Sequence, residues 1–213
     1  MKTKLISSSN VGLLVAISYV SAQIFSNIAS SKIALIGSFS IDGGTIIYPI
    51  TFTLRDLIHK TLGKKVARFV VFVAGIINAI IALMFYIVTL LPQDPSWGLQ
   101  SEFTMILGPV WRITIASILA QVISELIDTE AYQFFVDKIS KRYQWGRVLF
   151  SNFFSVPVDS IIFCLVAFYN TIPFPVVVSI ITANILIKGI VTICSIPLIY
   201  TVPKNNTSQN GNT

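Results

Sequence analysis

Charge is scarce in this sequence: of 213 residues, 15 are Lys or Arg and 9 are Asp or Glu. A soluble domain of that length needs far more polar surface. Histidine occurs once, at His59, so no His/Cys cluster exists to hold zinc. Cysteine occurs twice, at Cys164 and Cys194, both in apolar runs and both read as buried thiols. No G-x-x-x-x-G-K-[ST] phosphate loop is present, so the chain has no ATPase of its own. A Ser–His or paired-Asp setting for an intramembrane protease is also missing. What is abundant is apolar: 54% of residues are hydrophobic and the mean hydropathy is +0.79. The composition defines a polytopic membrane protein.

The net charge of +6 follows topology and not a nucleic-acid patch. Eleven of the fifteen basic residues fall in four places: Lys2 and Lys4, Lys60 to Arg68, Lys138 to Arg147, and Lys204. Only Lys32 and Arg112 lie near the alternate loops. This positive-inside pattern predicts an all-α protein with six transmembrane helices and both termini cytoplasmic. The expected helices are Val11–Ile28, Ile46–Leu62 with Pro49 in its first turn, Phe69–Leu91, Pro109–Asp128, Val148–Tyr169 and Val176–Ile199. Ser38–Thr45 reads as a turn, and Pro92–Glu102 as an acidic outer loop, with Trp97 and Trp111 fitting an interfacial aromatic belt. Asp128–Tyr143 reads as a separate amphipathic helix on the cytoplasmic surface. Val-Ser-Ala ending at Ala22 resembles a signal-peptidase site. A retained helix is preferred because the apolar run continues to Ile28, with Gln23 and Asn27 four apart on one face. Residues 1–203 form one domain, and 204–213 a disordered polar tail.

Polar residues inside apolar runs are functional candidates because each is expensive in hydrocarbon. By helical rise, Asp159 lies about 18 Å and Lys188 about 17 Å from the cytoplasmic ends of their helices, so the two can pair near the midplane. Gln23 and Asn78 fall at similar depth. Together they make the polar belt a midplane cavity needs, although a purely structural Asp159–Lys188 pair fits the same residues. A second layer nearer the cytoplasm comprises Arg55, Asp56, Glu125, Asp128 and Asn152, readable as a gate of charge pairs or as helix-end charges snorkelling to water. Tyr48, Phe52 and Asp56 share one face of their helix. A short repeat links Ser124-x3-Asp128-Thr129-x2-Tyr132 to Ser155-x3-Asp159-Ser160-x2-Phe163.

Tyr48-Pro49-x2-Phe52-x3-Asp56 followed by Gly63 and Ala67-Arg68 resembles the signature of the queuosine precursor transporters. Ser26-Asn27 and Lys32 resemble the segment before it. Asp128 with its downstream aromatic, and Ser151-Asn152…Ser155…Asp159-Ser160-x2-Phe163…Ala167-Phe168, are similar to two later signatures. The resemblance spans roughly Tyr19 to Phe168. It implies a six-helix importer of the bacterial inner membrane, not an enzyme, with no cofactor. Its cargo would be 7-cyano-7-deazaguanine, 7-aminomethyl-7-deazaguanine or queuine, destined for tRNA queuosine. The family often has Gln three residues before each later aspartate; here those positions are Glu125 and Val156, which leaves the particular deazaguanine open.

For such a base, Asp159, Asp56 and Glu125 are the expected acceptors of its N–H groups, and Gln23, Asn27, Asn78, Asn152 and Lys188 supply the other polar contacts. Phe25, Tyr48, Phe52, Phe154 and Phe163 are the expected stacking faces. The expected partners are this small molecule and the bilayer, with no direct nucleic-acid contact and with homo-oligomerisation open. Two alternatives remain at this stage: a substrate-binding membrane subunit that borrows a separate ATPase, and a membrane enzyme or scaffold acting on lipid.

Overall fold

The computed structural model describes residues 8–139 and 143–201; the side chains of Ser8, Ser9, Asp56, His59, Lys60, Lys64, Gln144 and residues 195–201 are outside that description. The termini and the polar tail therefore lie outside the described residues. Helix α1, Ser8–Ala29, runs unbroken through Ala22. It buries the stripe Tyr19, Gln23, Ser26 and Asn27, as its four-residue polar spacing predicts.

Where a simple turn is expected, the chain forms a hairpin: β1, Ile33–Ile36, pairs antiparallel with β2, Phe39–Asp42. Its two-residue loop puts Gly37 at φ +60, which suits glycine at the first loop position of a II′ turn. The Ser40 N–H donates to Ser179 Oγ at 2.9 Å, tying the hairpin to the last helix. The architecture is thus all-α in class, as expected, with one two-stranded hairpin added to the helices.

Helix α2, Gly44–Leu62, begins two residues before its expected start. Asp42 Oδ1 accepts the Thr45 N–H at 3.1 Å and so supplies an orphan amide of the first turn with a partner. Pro49 consequently falls in the second turn, not the first. Gly63, at φ +85, makes the sharp break into α3, Lys64–Leu90, so Lys64 and Lys65 open a helix where the sequence suggests a loop.

A short helix, α4 (Gln100–Leu107), occupies part of the expected outer loop. It is held by Gln100 Nε2 on the Thr89 carbonyl at 2.9 Å and by Trp97 edge-on to Phe103. Helix α5 then runs without interruption from Val110 to Lys138. The separate surface helix expected from Asp128 does not exist, because no Gly or Pro interrupts the segment and α5 simply continues. Its 29 residues make a rod of about 43 Å, longer than the hydrocarbon core is thick. Phe134 and Phe135 of its far end pack on Phe150 of α6, Gln144–Phe168. Arg112, at its other end, donates to the carbonyls of Val166 and Tyr169 at 2.7 Å, closing the α6 terminus before α7, Phe174–Thr201.

The molecule is apolar outside and polar within. Phe69, Phe72, Met105 and Phe153 are exposed, and exposed apolar area on this scale belongs against lipid. Inside, one apolar cluster centres on Ile113, Cys164, Phe168, Val177 and Ile180, and another on Tyr19, Ile58, Ala67 and Ala74. Among the described residues, buried polar ones, including Asn27, Asp42, Asp159, Asn184 and Lys188, are as numerous as buried apolar ones. Cys164 is buried as expected, but Cys194 is exposed on the outer surface. Among the described residues, five helical segments are long and apolar enough to cross a membrane: Asn10–Ala29, Lys65–Leu90, Gln100–Lys138, Trp145–Phe168 and Phe174–Cys194. Helix α2 is not among them, since Arg55, Asp56, His59 and Lys60 load its second half.

Candidate functional site

At the centre of the polar layer, Lys188 Nζ donates to Asp159 Oδ2 at 2.6 Å, with side chains only 4% and 3% exposed. Sequence depth placed these two residues at one level, and the fold brings them into contact. Burying a charge pair is tolerable only when the remaining hydrogen-bonding capacity is used. The second Asp159 oxygen accepts from Ser124 Oγ at 3.2 Å, and the ammonium lies 4.9 Å from the centroid of the Tyr48 ring. Helices α2, α5, α6 and α7 thus each contribute one group to a single buried ion pair.

The short sequence repeat acquires a structural meaning here. Ser124 of α5 bonds Asp159 of α6, while Ser155 of α6 bonds Asp128 of α5 at 3.3 Å. Two antiparallel helices exchange the same Ser–Asp contact. Asp159 is buried, whereas Asp128 is half-buried at the wetter end.

Two cavities meet at Tyr48 and Asp159. The first is lined by Ser26, Asn27, Ser30, Asp42, Gly44, Thr45, Tyr48, Ser117, Ala120, Asp159, Phe163, Asn184 and Lys188. The second, towards the basic ends of the helices, is lined by Tyr19, Gln23, Tyr48, Thr51, Phe52, Arg55, Gln121, Ser124 and Asp159. They hold about 20 and 10 Å³, room for one or two waters in this conformation.

Several expected site residues fall into place. Asn27 lines the first cavity and donates to Asn78 Oδ1 at 2.8 Å. Asn78 in turn donates to the Ala74 carbonyl at 2.9 Å and approaches Gln23 Oε1 at 3.4 Å. Asn78 therefore buttresses the cavity without lining it. Gln23 donates to Tyr19 Oη at 2.8 Å and lines the second cavity with Phe52, whose ring meets Tyr48 edge-on at 5.3 Å. Phe163 lines the first cavity.

Others do not join the site. Glu125 is paired with Arg55 at 2.7 Å and is 43% exposed. Asn152 is half-buried and lines neither cavity. Phe25 is 62% exposed on the outside of α1, and Phe154 packs with Phe150 and Phe153 on the outer face of α6. The cavity-facing positions are taken by other residues: Tyr19, Gln23, Ser26 and Asn27 on α1, and Asp159 and Phe163 on α6. The Asp56 side chain lies outside the described residues.

The sequence reading missed the group around Asp42. Asp42 is 1% exposed and accepts from Ser30 Oγ at 2.7 Å, from the Thr45 N–H, from Thr45 Oγ1 at 2.6 Å and from Asn184 Nδ2 at 3.3 Å. Thr45 Oγ1 also contacts Asn184 Oδ1. The cluster ties α1, β2, α2 and α7 together at the hairpin end of the first cavity. One signal was legible: Asn184 precedes Lys188 by four residues, one turn along the same face of an apolar helix. Among the described residues, no three of His, Cys, Asp and Glu converge as metal ligands.

Comparison with known proteins points to a transporter family. The sequence model of a family described as "Putative vitamin uptake transporter" matches residues 42–202. A Bacillus subtilis protein named "Probable queuosine precursor transporter" is 27% identical over 198 residues, covering 91% of this chain and 84% of its own. A Haemophilus influenzae protein of the same name is 26% identical over 135 residues, covering 63% of this chain and 54% of its own. No solved structure matches significantly.

Proposed function

The chain belongs to the putative vitamin uptake transporter family, and from that premise we propose that it imports a queuosine precursor, a 7-deazaguanine base, across the bacterial cytoplasmic membrane. The observation that carries the reading is the buried Asp159–Lys188 pair beneath the Tyr48 ring, facing a cavity of small polar groups. A guanine-like edge presents N–H donors beside a carbonyl. Asp159 accepts the donors, and Lys188 turns from the carboxylate to the carbonyl. Each charge exchanges one partner for another, so neither is stranded in the dry interior. Tyr48 and Phe163 offer aromatic faces, and stacking contributes about 1–3 kcal/mol per base. Asp56, one turn beyond Phe52 on the same helical face, is a further acceptor to test.

A bicyclic base exceeds a space of about 20 Å³, so loading requires α2 and α7 to part. In the proposed topology α2 crosses as the sixth span, shielded by α1, α3 and α7. Both termini are then cytoplasmic, the hairpin faces outward, and the Arg55–Glu125 pair faces inward. Purified chain in liposomes should accumulate a labelled 7-deazaguanine, and deletion should remove queuosine from tRNA. Uptake only after a separate ATPase is added would overturn the autonomous-importer reading.

A further inference from the structure

We propose that Asp42 and the oxygens around it form a receptor for a primary ammonium group, so that the cavity prefers a base with a short cationic arm over its uncharged counterpart. This rests on the reading of the cavity as a site for deazaguanine bases.

The charge inventory comes first. The first cavity is lined by two carboxylates, Asp42 and Asp159, and by one cation, Lys188, which is bound to Asp159. Arg55 lines the neighbouring cavity and is paired with Glu125. The hairpin end therefore carries a buried carboxylate compensated by neutral donors and the α2 N-terminus, not by a cation among the described residues. Such a site repels anions, including phosphorylated nucleosides, and gains most from a ligand bearing positive charge.

The donor set is matched to an ammonium. An –NH₃⁺ group brings three donors and no acceptor. Around Asp42 stand its own two oxygens, Ser30 Oγ, Thr45 Oγ1 and Asn184 Oδ1. The two hydroxyls are rotors: they donate to the carboxylate now and can turn their lone pairs to an incoming ammonium. Gly44 permits this crowding, because a Cβ there would lie 2.0 Å from Ser30 Oγ and 2.9 Å from Asp42 Oδ1.

Spacing completes the argument. Asn184 holds Asp42 and Lys188 holds Asp159, and the two holders are one turn apart on α7, an axial separation of about 6 Å. A planar base with its N–H edge on Asp159 thus directs a substituent beside its carbonyl along α7 towards Asp42. An aminomethyl arm at that ring position delivers its nitrogen to the oxygens; a nitrile delivers an acceptor to acceptors.

The test is competition in proteoliposomes between 7-aminomethyl- and 7-cyano-7-deazaguanine, read as the ratio of their inhibition constants. The wild-type chain should favour the aminomethyl base about tenfold or more, the scale of a charged hydrogen bond. Asp42→Asn should bring the ratio near one. Equal affinity in the wild type, preference for the cyano base, or a preference that Asp42→Asn leaves intact overturns the proposal. If Asp42→Asn does not reach the membrane, Ser30→Ala decides: the ratio should fall several-fold, and an unmoved ratio overturns it. A sodium requirement for cyano-base uptake that Ser30→Ala abolishes, with the ratio unmoved, would reassign the oxygens to an inorganic cation. Transport of neither base would instead remove the functional reading itself.

Discussion

The two ends of the central cavity are closed by opposite chemistry. At the hairpin end, Asp42 is sealed from water and held by four donors, one from Ser30 just past α1, two from Thr45 of α2 and one from Asn184 of α7. At the basic end, Arg55 and Glu125 form an ion pair, 26% and 43% exposed, with the guanidinium also near the Phe52 ring. A solvated pair of that kind contributes about 0–1 kcal/mol and weakens in salt. A dry set of hydrogen bonds is insensitive to salt, and losing one buried partner costs about 1–3 kcal/mol. The difference teaches that the two sets of contacts are unequal to break: the exposed pair is cheap to part, whereas the buried bonds of Asp42 must be replaced as they are lost.

The broadest break of this comparison is sidedness, an all-or-none result. In a Cys194→Ser background, cysteines at Ser96 and at Gln133, both exposed, should label from opposite faces of the membrane, Ser96 from outside. Labelling of both from one face would overturn the assignment of an outer and an inner end. Next in size is the link between the ends. Asp159→Asn or Lys188→Gln strands a buried charge, which costs about 3–5 kcal/mol, and should sharply lower membrane yield and uptake. The double variant should recover yield. A merely additive double, by fluorescence-detected size exclusion, would show the pair is not coupled.

At the hairpin end, Thr45→Val removes a buried hydroxyl shared by Asp42 and Asn184 and should lower stability by about 1–3 kcal/mol. That loss should be equal in low and high salt; a loss that vanishes in salt would mean this end is wet. The smallest effect belongs to Glu125→Gln, expected to change stability by no more than about 1 kcal/mol, and by less as salt rises. Its uptake should become less dependent on ionic strength than that of the wild type. A thermal-shift loss larger than that of Thr45→Val would reverse the order of the two closures.

Much of the membrane architecture was legible because apolar runs and charge asymmetry act over whole helices. Asp159 and Lys188 were legible for the same reason: a charge deep in an apolar helix has few affordable partners. The helix starts were less so, because Asp42 and Gly63 set them by local geometry that no periodicity records. Asp42 itself was hidden by its neighbours, since an aspartate before two glycines reads as an exposed turn. Its burial depends on Asn184, 142 positions away. Phe25 and Phe154 were misjudged because an aromatic in a membrane helix satisfies lipid as readily as it does a cavity. Glu125, expected to accept from a bound base, proves to serve Arg55.

The unbroken length of α5 has a mechanical consequence. Arg112 fastens one end of this rod to the α6 terminus, and Glu125 lies 13 positions along it, about 20 Å away by helical rise. Ala120 and Ser124 touch the cavities between the rod's two ends. Glu125 sits beside Ser124, at the middle of the rod and against the cavity wall. A stiff rod passes displacement to its neighbours, so a shift of Glu125 relative to Arg55 is felt directly at Ser124 and Ala120, while Arg112 holds the far end.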